Sequence, residues 1–372
     1  KLGITYVDLD AVREFVDLDQ GDYEASYQAV IDSINDDGGI NGRMIEPVFA
    51  PVSPLGTAPA EEVCVRLTED EDVFAVVGFF QDDAVLCPVA AHATATIGGV
   101  MTEERHDQAK APWFTTEAGE DSNIDALTAM AENGDLDGKL GVFASIYSEG
   151  EVEPTLEVLS DLGIDPVDTA VLDAPTDDLA AQNAATAVIA ERFKTAGVDQ
   201  ILALGSAAVP LANGLAPLDY RPQLLFTSSV AVGAYTSGID PDYSMFEGAV
   251  LGSVNNAVFE EDAMQDCIGI LEDAGITGIV DPAPLESSDP NPFISASAAC
   301  KNIYLFAAIA EAAGDDLNYG SFQAAGESLG SVHLPGAEDD YEYGPYPALD
   351  GNLPMFLWDW NAEDEEFALR ED

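Results

Sequence analysis

The alternation of short apolar strand signals with amphipathic helix signals, sustained from the first residue, is what most narrows the folds open to this chain. "LGITYV" (Leu2 to Val7) reads as a strand, and Tyr23 to Asn35 follows as a helix with Tyr27, Val30, Ile31 and Ile34 on one face. "GGINGR" then stops the helix, because Gly38 and Gly39 supply the left-handed cap and turn, and "MIEPVFA" begins a second strand. A helix around Glu61 to Leu67, the strand Phe74 to Val77, a helix over Ala84 to His92 and the strand Thr96 to Met101 complete one unit. The pattern restarts after "EAGEDSN". Asp121 or Ser122 caps a helix through Met130, followed by "KLGVFAS", a helix over Glu153 to Leu162, "DPVDTAVL", a helix over Leu179 to Ala196, "QILALG", a helix from Ala207, and "QLLFTS". Strands joined in this way pair parallel, with helices on both faces, so the expected class is α/β with two doubly wound parallel-sheet lobes. Beyond Gly248 lie the strand "AVLGSVN", two helices over Ala263 to Ala274 and Ser295 to Ala313, a Gly- and Pro-rich tail from Tyr319, and the strand-like "PMFLWDWN".

Composition removes several function classes. The chain of 372 residues carries 70 Asp and Glu against 12 Lys and Arg, a net charge of −58. Such a field repels nucleic acid and anionic membranes, both of which are bound through Lys and Arg clusters. The acids are dispersed through ordinary α/β sequence rather than gathered in a tail, which argues against disorder. They imply a strongly hydrated surface suited to a saline medium, where screening suppresses self-repulsion. Loss of the folded state at low salt is the expected result, and unchanged stability would contradict it. The apolar runs "VFAVVGFF" and "IYLFAAIA" stop at eight residues, short of the ~20 that a bilayer requires. Lys1 opens directly on the first strand with no apolar leader, as expected of a chain whose export signal has been removed.

Four cysteines, Cys64, Cys87, Cys267 and Cys300, show no CxxC or Cys/His metal spacing. Cys64 and Cys87 fall on successive helices flanking one strand, and Cys267 and Cys300 on neighbouring helices. Of the three possible pairings, 64–87 with 267–300 is therefore preferred, and disulfides imply an oxidising, extracytoplasmic compartment. Catalytic signals are sparse. His92, His106 and His333 are far apart, no nucleophile elbow, zinc, Walker or dinucleotide motif occurs, and the adjacent Asp82 and Asp83 have no partner carboxylate at glycosidase spacing. "DLDQGD" (Asp17 to Asp22) alternates acids as a calcium loop does but lacks the later bidentate Glu, and reads as a solvated turn. No metal, cofactor or enzymatic activity is expected.

"SINDDGGINGRMIEPVFAPVS" after a first strand and helix, "VFAVVGFFQDDAVLC" and "VFASIYSEGE" together resemble the type I periplasmic solute-binding proteins of the branched-chain amino acid and amide ABC transporters. The resemblance implies two lobes joined by three hinge crossings, near Ala118 to Ser122, Glu247 to Gly252 and Ser328 to His333. The first lobe would comprise residues 1–120 and 249–330, and the second 121–248 and 331–372. It also implies a monomer that closes on a small polar ligand and docks on a membrane permease, with a sensor ectodomain as the alternative role.

By the same resemblance the ligand residues of the first lobe are Asp82, Asp83, Thr102 and Glu103, and those of the second are Tyr147, Glu149, Ser206, Ser228 and Ser229. Where relatives offer hydroxyls and free N–H groups to an amino acid's carboxylate, this chain has Gln81, Asp82 and Asp83. Asp82 either caps the following helix or accepts hydrogen bonds from a ligand, and in both cases a carboxylate is disfavoured there. Serines stand where relatives hold an ammonium group with an acid. An amine, amide or polyol therefore replaces the simple amino acid as the expected ligand. Tyr23, Phe79, Phe80, Tyr147, Tyr235 and Phe293 are the candidate aromatic walls.

Overall fold

A computed structural model describes the chain except for residues 10–17, 55–57, 118–120, 147, 175–178, 228, 230–231, 233–241, 255–256, 283–284, 286–288, 352–353 and 371–372, and the side chains of Asp82, Asp121, Ser122, Glu149, Leu179, Ser206 and Ala208. The chain divides into two compact units, residues 1–120 with 255–354 and residues 121–254 with 355–372.

The first unit is built on a five-stranded, wholly parallel sheet. Its strands are β1 (Leu2–Val7), β2 (Pro47–Val52), β3 (Ala75–Gly78), β4 (Ala95–Ile97) and β5 (Trp113–Phe114), in the order β2-β1-β3-β4-β5. Helix α1 (Tyr23–Asp36) starts where Asp22 accepts the Ala25 N–H at 3.0 Å, and it buries Tyr27, Val30 and Ile31 as their spacing requires. At its end Asn35 braces the glycine turn, donating from Nδ2 to the Ile45 carbonyl and accepting from the Ile45 N–H.

Helix α2 (Ala58–Val65) runs on as a π-helical turn to Asp70. The regular helix expected over Ala84 to His92 is absent. A 3₁₀ turn (Asp82–Val85) and a π turn (Cys87–Ala91) replace it, because Pro88 has no N–H to donate to the Ala84 carbonyl, as an α-helix over these residues would require. Two disulfides join Cys64 to Cys87 and Cys267 to Cys300, the pairing preferred from sequence.

Helices α3 (Glu103–Gln108), α8 (Asp262–Asp273), α9 (Phe293–Ala312) and α10 (Tyr319–Glu327) complete this unit, the four helices between α3 and α8 in chain order belonging to the second. Helix α9, 20 residues long, reaches a mean hydropathy of 1.4 over its most apolar 18 residues and is long and apolar enough to cross a bilayer, yet 67% of that stretch is buried. Its Ile303, Phe306 and Ile309 share one core with Trp113, Phe114 and Phe322. Helix α10 was not read from the Gly-rich sequence. It exists because Asn318 and Ser321 cap its start reciprocally and Phe322 anchors its inner face.

The second unit repeats the winding. Strands β6 (Leu140–Ser145), β7 (Asp168–Leu172), β8 (Gln200–Ala203), β9 (Gln223–Phe226) and β10 (Val250–Val254) run parallel in the order β7-β6-β8-β9-β10, with α4 (Asp121–Glu132), α5 (Val152–Asp161), α6 (Leu179–Ala196) and α7 (Ala208–Leu215) between them. Beyond β10, the antiparallel hairpin β13 (Met355–Asn361) and β14 (Glu366–Leu369) extends the sheet to seven strands.

Two expected boundaries move. Strand β10, placed in the first lobe from sequence, belongs to the second unit because it pairs with β9 on one side and β13 on the other. Residues 331–354, placed in the second lobe, belong to the first unit. There the ribbon of β11 (Gly330–Val332) and β12 (Tyr341–Tyr343) buries Tyr341 and Tyr343, whose hydroxyls donate to the Thr116 and Thr115 carbonyls.

Candidate ligand site at the strand carboxyl ends

In each unit the strand order reverses beside the strand that comes first in the chain, between β1 and β3 and between β6 and β8. The crossovers leave that point on opposite faces, which opens a crevice beyond the carboxyl ends of the strands. In the first unit two glycines shape it. Gly78 (φ +122°) ends β3 where a Cβ would lie 2.1 Å from the Thr5 carbonyl oxygen, and Gly98 (φ +120°) follows β4 where a Cβ would lie 2.2 Å from the Gly78 oxygen. No other residue type fits either place, so the loops after β3 and β4 diverge at defined points.

Tyr23 stands at the start of α1 with its ring stacked on Tyr6, the penultimate residue of β1, at 5.9 Å and 12°. The Tyr23 hydroxyl donates to Gln20 at 2.7 Å and the Tyr6 hydroxyl to Glu24 at 2.9 Å. Burial pushes the Tyr23 phenol up to about 12; burial and then Glu24 push Tyr6 up as well. Both rings are thus neutral and fixed at the switch point. Tyr6 was missed in the sequence, where it reads as an ordinary strand residue.

The acidic turn after β3 differs from its reading. Gln81, not an aspartate, is the cap residue, it makes no side-chain cap bond, and Asp82 is already inside the 3₁₀ turn. The Asp82 side chain lies outside the described residues. Asp83 accepts from Arg105 Nε at 2.9 Å, and the same guanidinium donates through Nη1 to the Val100 carbonyl. Thr102 caps α3 by accepting the Arg105 N–H at 3.2 Å, and Glu103 is exposed in the first turn. Asp83 and Thr102 are thus engaged within the protein, and a single arginine ties both turns together.

Phe80 is half-buried against two hydrophobic clusters, and with Phe79 it closes a cavity of about 20 Å³ lined also by Thr5, Cys64, Leu67 and Gln81. That space suits one water rather than a solute. Phe293 is 2% exposed and packs edge-on against Phe259 in the core of the first unit.

The turn after β5 contributes a carboxylate that sequence reasoning missed. Glu117 accepts the Gly99 N–H at 3.2 Å, and its own N–H donates to Thr115 Oγ1 at 3.0 Å. Burial raises its pKa, opposed by the Gly99 N–H and the charge of Lys301 on α9, and Lys301 is itself lowered to about 8 by burial. Thr116 donates to Asn302 Oδ1, and Asn302 donates to the Tyr27 hydroxyl, so the end of β5 is locked to α9 and α1. No linear motif marks Glu117; only the parallel pairing of β4 and β5 brings it to Gly99.

In the second unit Ser148 organises the switch point. Its Oγ accepts the Ser145 N–H at 3.0 Å and donates to the Leu204 carbonyl at 3.1 Å, which joins the end of β6 to the end of β8. Gly205 (φ +48°) follows, where a Cβ would lie 2.6 Å from a Glu151 carboxylate oxygen. Ser206 is the second residue of the 3₁₀ turn Gly205–Ala207, and its side chain, like that of Glu149, lies outside the described residues. Ser229 is exposed beyond β9, whereas the neighbouring Thr227 is 4% exposed with its hydroxyl unpaired. Tyr147, Ser228 and Tyr235 lie outside the described residues.

The acids of "DLDQGD" are spent locally where they are described: Asp19 accepts the Gly21 N–H and Asp22 caps α1.

No protein-family model matches the sequence, nor does any curated protein. Solved structures do match, over the whole chain. A periplasmic binding protein type 1 from Bordetella pertussis Tohama I covers 100% of this chain and 99% of its own at 18% identity and a TM-score of 0.70. This chain has the type I periplasmic binding-protein fold. The solute-binding protein of an ABC transporter from R. palustris, solved with 4-hydroxybenzoate, covers 100% and 95% at 14% identity and 0.67. A substrate-binding protein of an ABC transporter from Desulfitobacterium hafniense, in complex with Leu, covers 99% of both chains at 14% identity and 0.67.

Proposed function

We propose that this chain is an extracytoplasmic solute-binding protein that captures a small polar ligand between its two lobes and delivers it to an ABC transporter permease. The observation that carries this reading is the full-length likeness to ABC-transporter solute-binding proteins, which extends through both units. Capture needs no covalent chemistry: the ligand stabilises the closed state by contacts it makes only there. The two cystine bridges favour an oxidising compartment. The protein works as a monomer in this reading.

The ligand presents hydrogen-bond donors to the first unit, as an amine, amide or polyol does. In this reading the acceptors are Glu117 and Glu103, with Asp82 and Asp83 beside them, and the Tyr6–Tyr23 pair is the aromatic wall. Ser206 and Ser229 serve the second unit, with Tyr147 as its aromatic contact. A thermal-shift screen at high salt tests this, with amines, amides, polyols, neutral amino acids and hydroxybenzoates compared. A ligand at a hundred times its dissociation constant stabilises by about 2.7 kcal/mol. Stabilisation by a donor-bearing ligand that Glu117→Gln weakens at least tenfold supports the reading. Stabilisation by carboxylates alone, indifferent to Glu117→Gln, overturns the ligand class and leaves the capture role in place.

A further inference from the structure

His333 stands alone among the three histidines in being held at both ring nitrogens. Nδ1 lies 2.9 Å from Asp340 Oδ1, and Nε2 lies 3.0 Å from Glu261 Oε1. Both partners are fixed independently of the histidine. Glu261 caps α8, accepting the Ala263 and Met264 N–H groups at 2.6 and 2.8 Å, and it also accepts the Gly336 N–H at 2.9 Å. Asp340 accepts the Ser331 hydroxyl at 2.7 Å. The Val258 N–H donates to the Gly336 carbonyl at 2.8 Å, so the same two stretches of chain are also sewn together through their backbones.

Their place in the chain gives this cluster its interest. Glu261 comes seven positions after the second unit boundary at 254/255, and the β11–β12 ribbon that carries His333 and Asp340 precedes the third boundary at 354/355. We propose that His333 is a pH-operated clamp that fastens the segment entering α8 to the β11–β12 ribbon.

A carboxylate accepts and does not donate, so satisfying Glu261 and Asp340 together requires protons on both imidazole nitrogens, which only the cation carries. On deprotonation one nitrogen turns a lone pair toward a carboxylate and that arm releases. The charged groups facing the ring are Glu261 from the start of α8 and Asp340 from the start of β12. Exposed Glu260, Asp262, Glu338 and Asp339 flank them in sequence. The hydrogen bond that His333 donates to Glu261 is the leading cause that raises His333, ahead of Asp340, while Glu261 and Asp340 are lowered. The sign follows. The clamp's stabilisation is complete below the ordinary histidine value of 6.5 and is lost as pH rises through the raised value of the folded state. At the acid end it is lost again as the two carboxylates protonate.

The test is an NMR titration of the full chain at high salt, following the ring protons of His92, His106 and His333. Hydrogen exchange of residues 258–264 and 331–340 is measured in parallel at each pH and corrected for intrinsic rates. His333 is expected to titrate above 6.5. Glu261→Gln and Asp340→Asn should each lower it, and protection of both segments should fall several-fold through the same midpoint. His333→Gln, which donates one hydrogen bond and does not titrate, should abolish that pH dependence while leaving the fold intact. Titration of His333 at or below 6.5, or protection indifferent to its titration, overturns the proposal. If His333→Gln fails to fold, the Asp340→Asn titration decides the matter alone.

Discussion

The two units wind five parallel strands in the same order and are fastened by different means. All four cysteines lie in the first unit, where Cys64–Cys87 ties α2 to the turn behind β3 and Cys267–Cys300 ties α8 to α9. The second unit has no cysteine. Its sheet is finished by the β13–β14 hairpin, and Arg370 just beyond β14 forks onto Asp135 with bonds of 2.8 and 3.1 Å and onto Asp359 with bonds of 2.8 and 2.6 Å. Topology thus fixes where the carboxyl-end crevice opens, while the fastenings are free to differ. Only the first unit is fastened covalently as well as by charge; in the second a scarce cation does the fastening.

The sharpest way to break this comparison is to remove a staple from one side. Replacing Cys267 and Cys300 by alanine should destabilise the first unit by about 3.5 kcal/mol through loop-closure entropy, read as an earlier denaturant transition. Hydrogen exchange should localise the loss to residues 1–117 and 257–351, and equal loss in the second unit would mean the two are one cooperative block. Arg370→Ala should cost about 2 kcal/mol, confined to the second unit, because it leaves the largely buried Asp135 without its charge-assisted bonds. High salt should not rescue that variant.

A third test separates the units by pH. The raised carboxyl of Glu117 means the folded first unit binds more protons than the unfolded chain above the usual glutamate value, so stability falls as pH rises through that interval. Glu117→Gln should flatten this slope, and an unchanged pH profile would show that the carboxylate is solvated. Asp83→Asn should have the smallest effect, under about 1 kcal/mol, since its ion pair is 77% exposed on the aspartate side.

The alternation of strands and helices, the capped α1 with its glycine turn and the cystine pairing were legible because each rests on local chemistry. Helix α10 escaped because its Gly-containing stretch has weak propensity, and the capping box and buried Phe322 make it form. The placement of β10 was misread because a strand's sequence does not say which sheet edge it joins. That is decided by pairing with β9 and with β13, more than a hundred residues later. The site shows the same division. Thr102 and Glu103 could be placed by their turn, whereas the Arg105 bond to Asp83, the Tyr6–Tyr23 stack and Glu117 depend on contacts between elements distant in sequence.

The measurement closest to the central claim is hydrogen exchange of the full chain with and without the solute that gives the largest thermal shift. The account predicts that protection rises together at the carboxyl ends of both sheets, over residues 79–83, 99–105 and 115–117 in the first unit and 145–148, 204–207 and 227–229 in the second. Protection confined to one unit would contradict capture between two lobes.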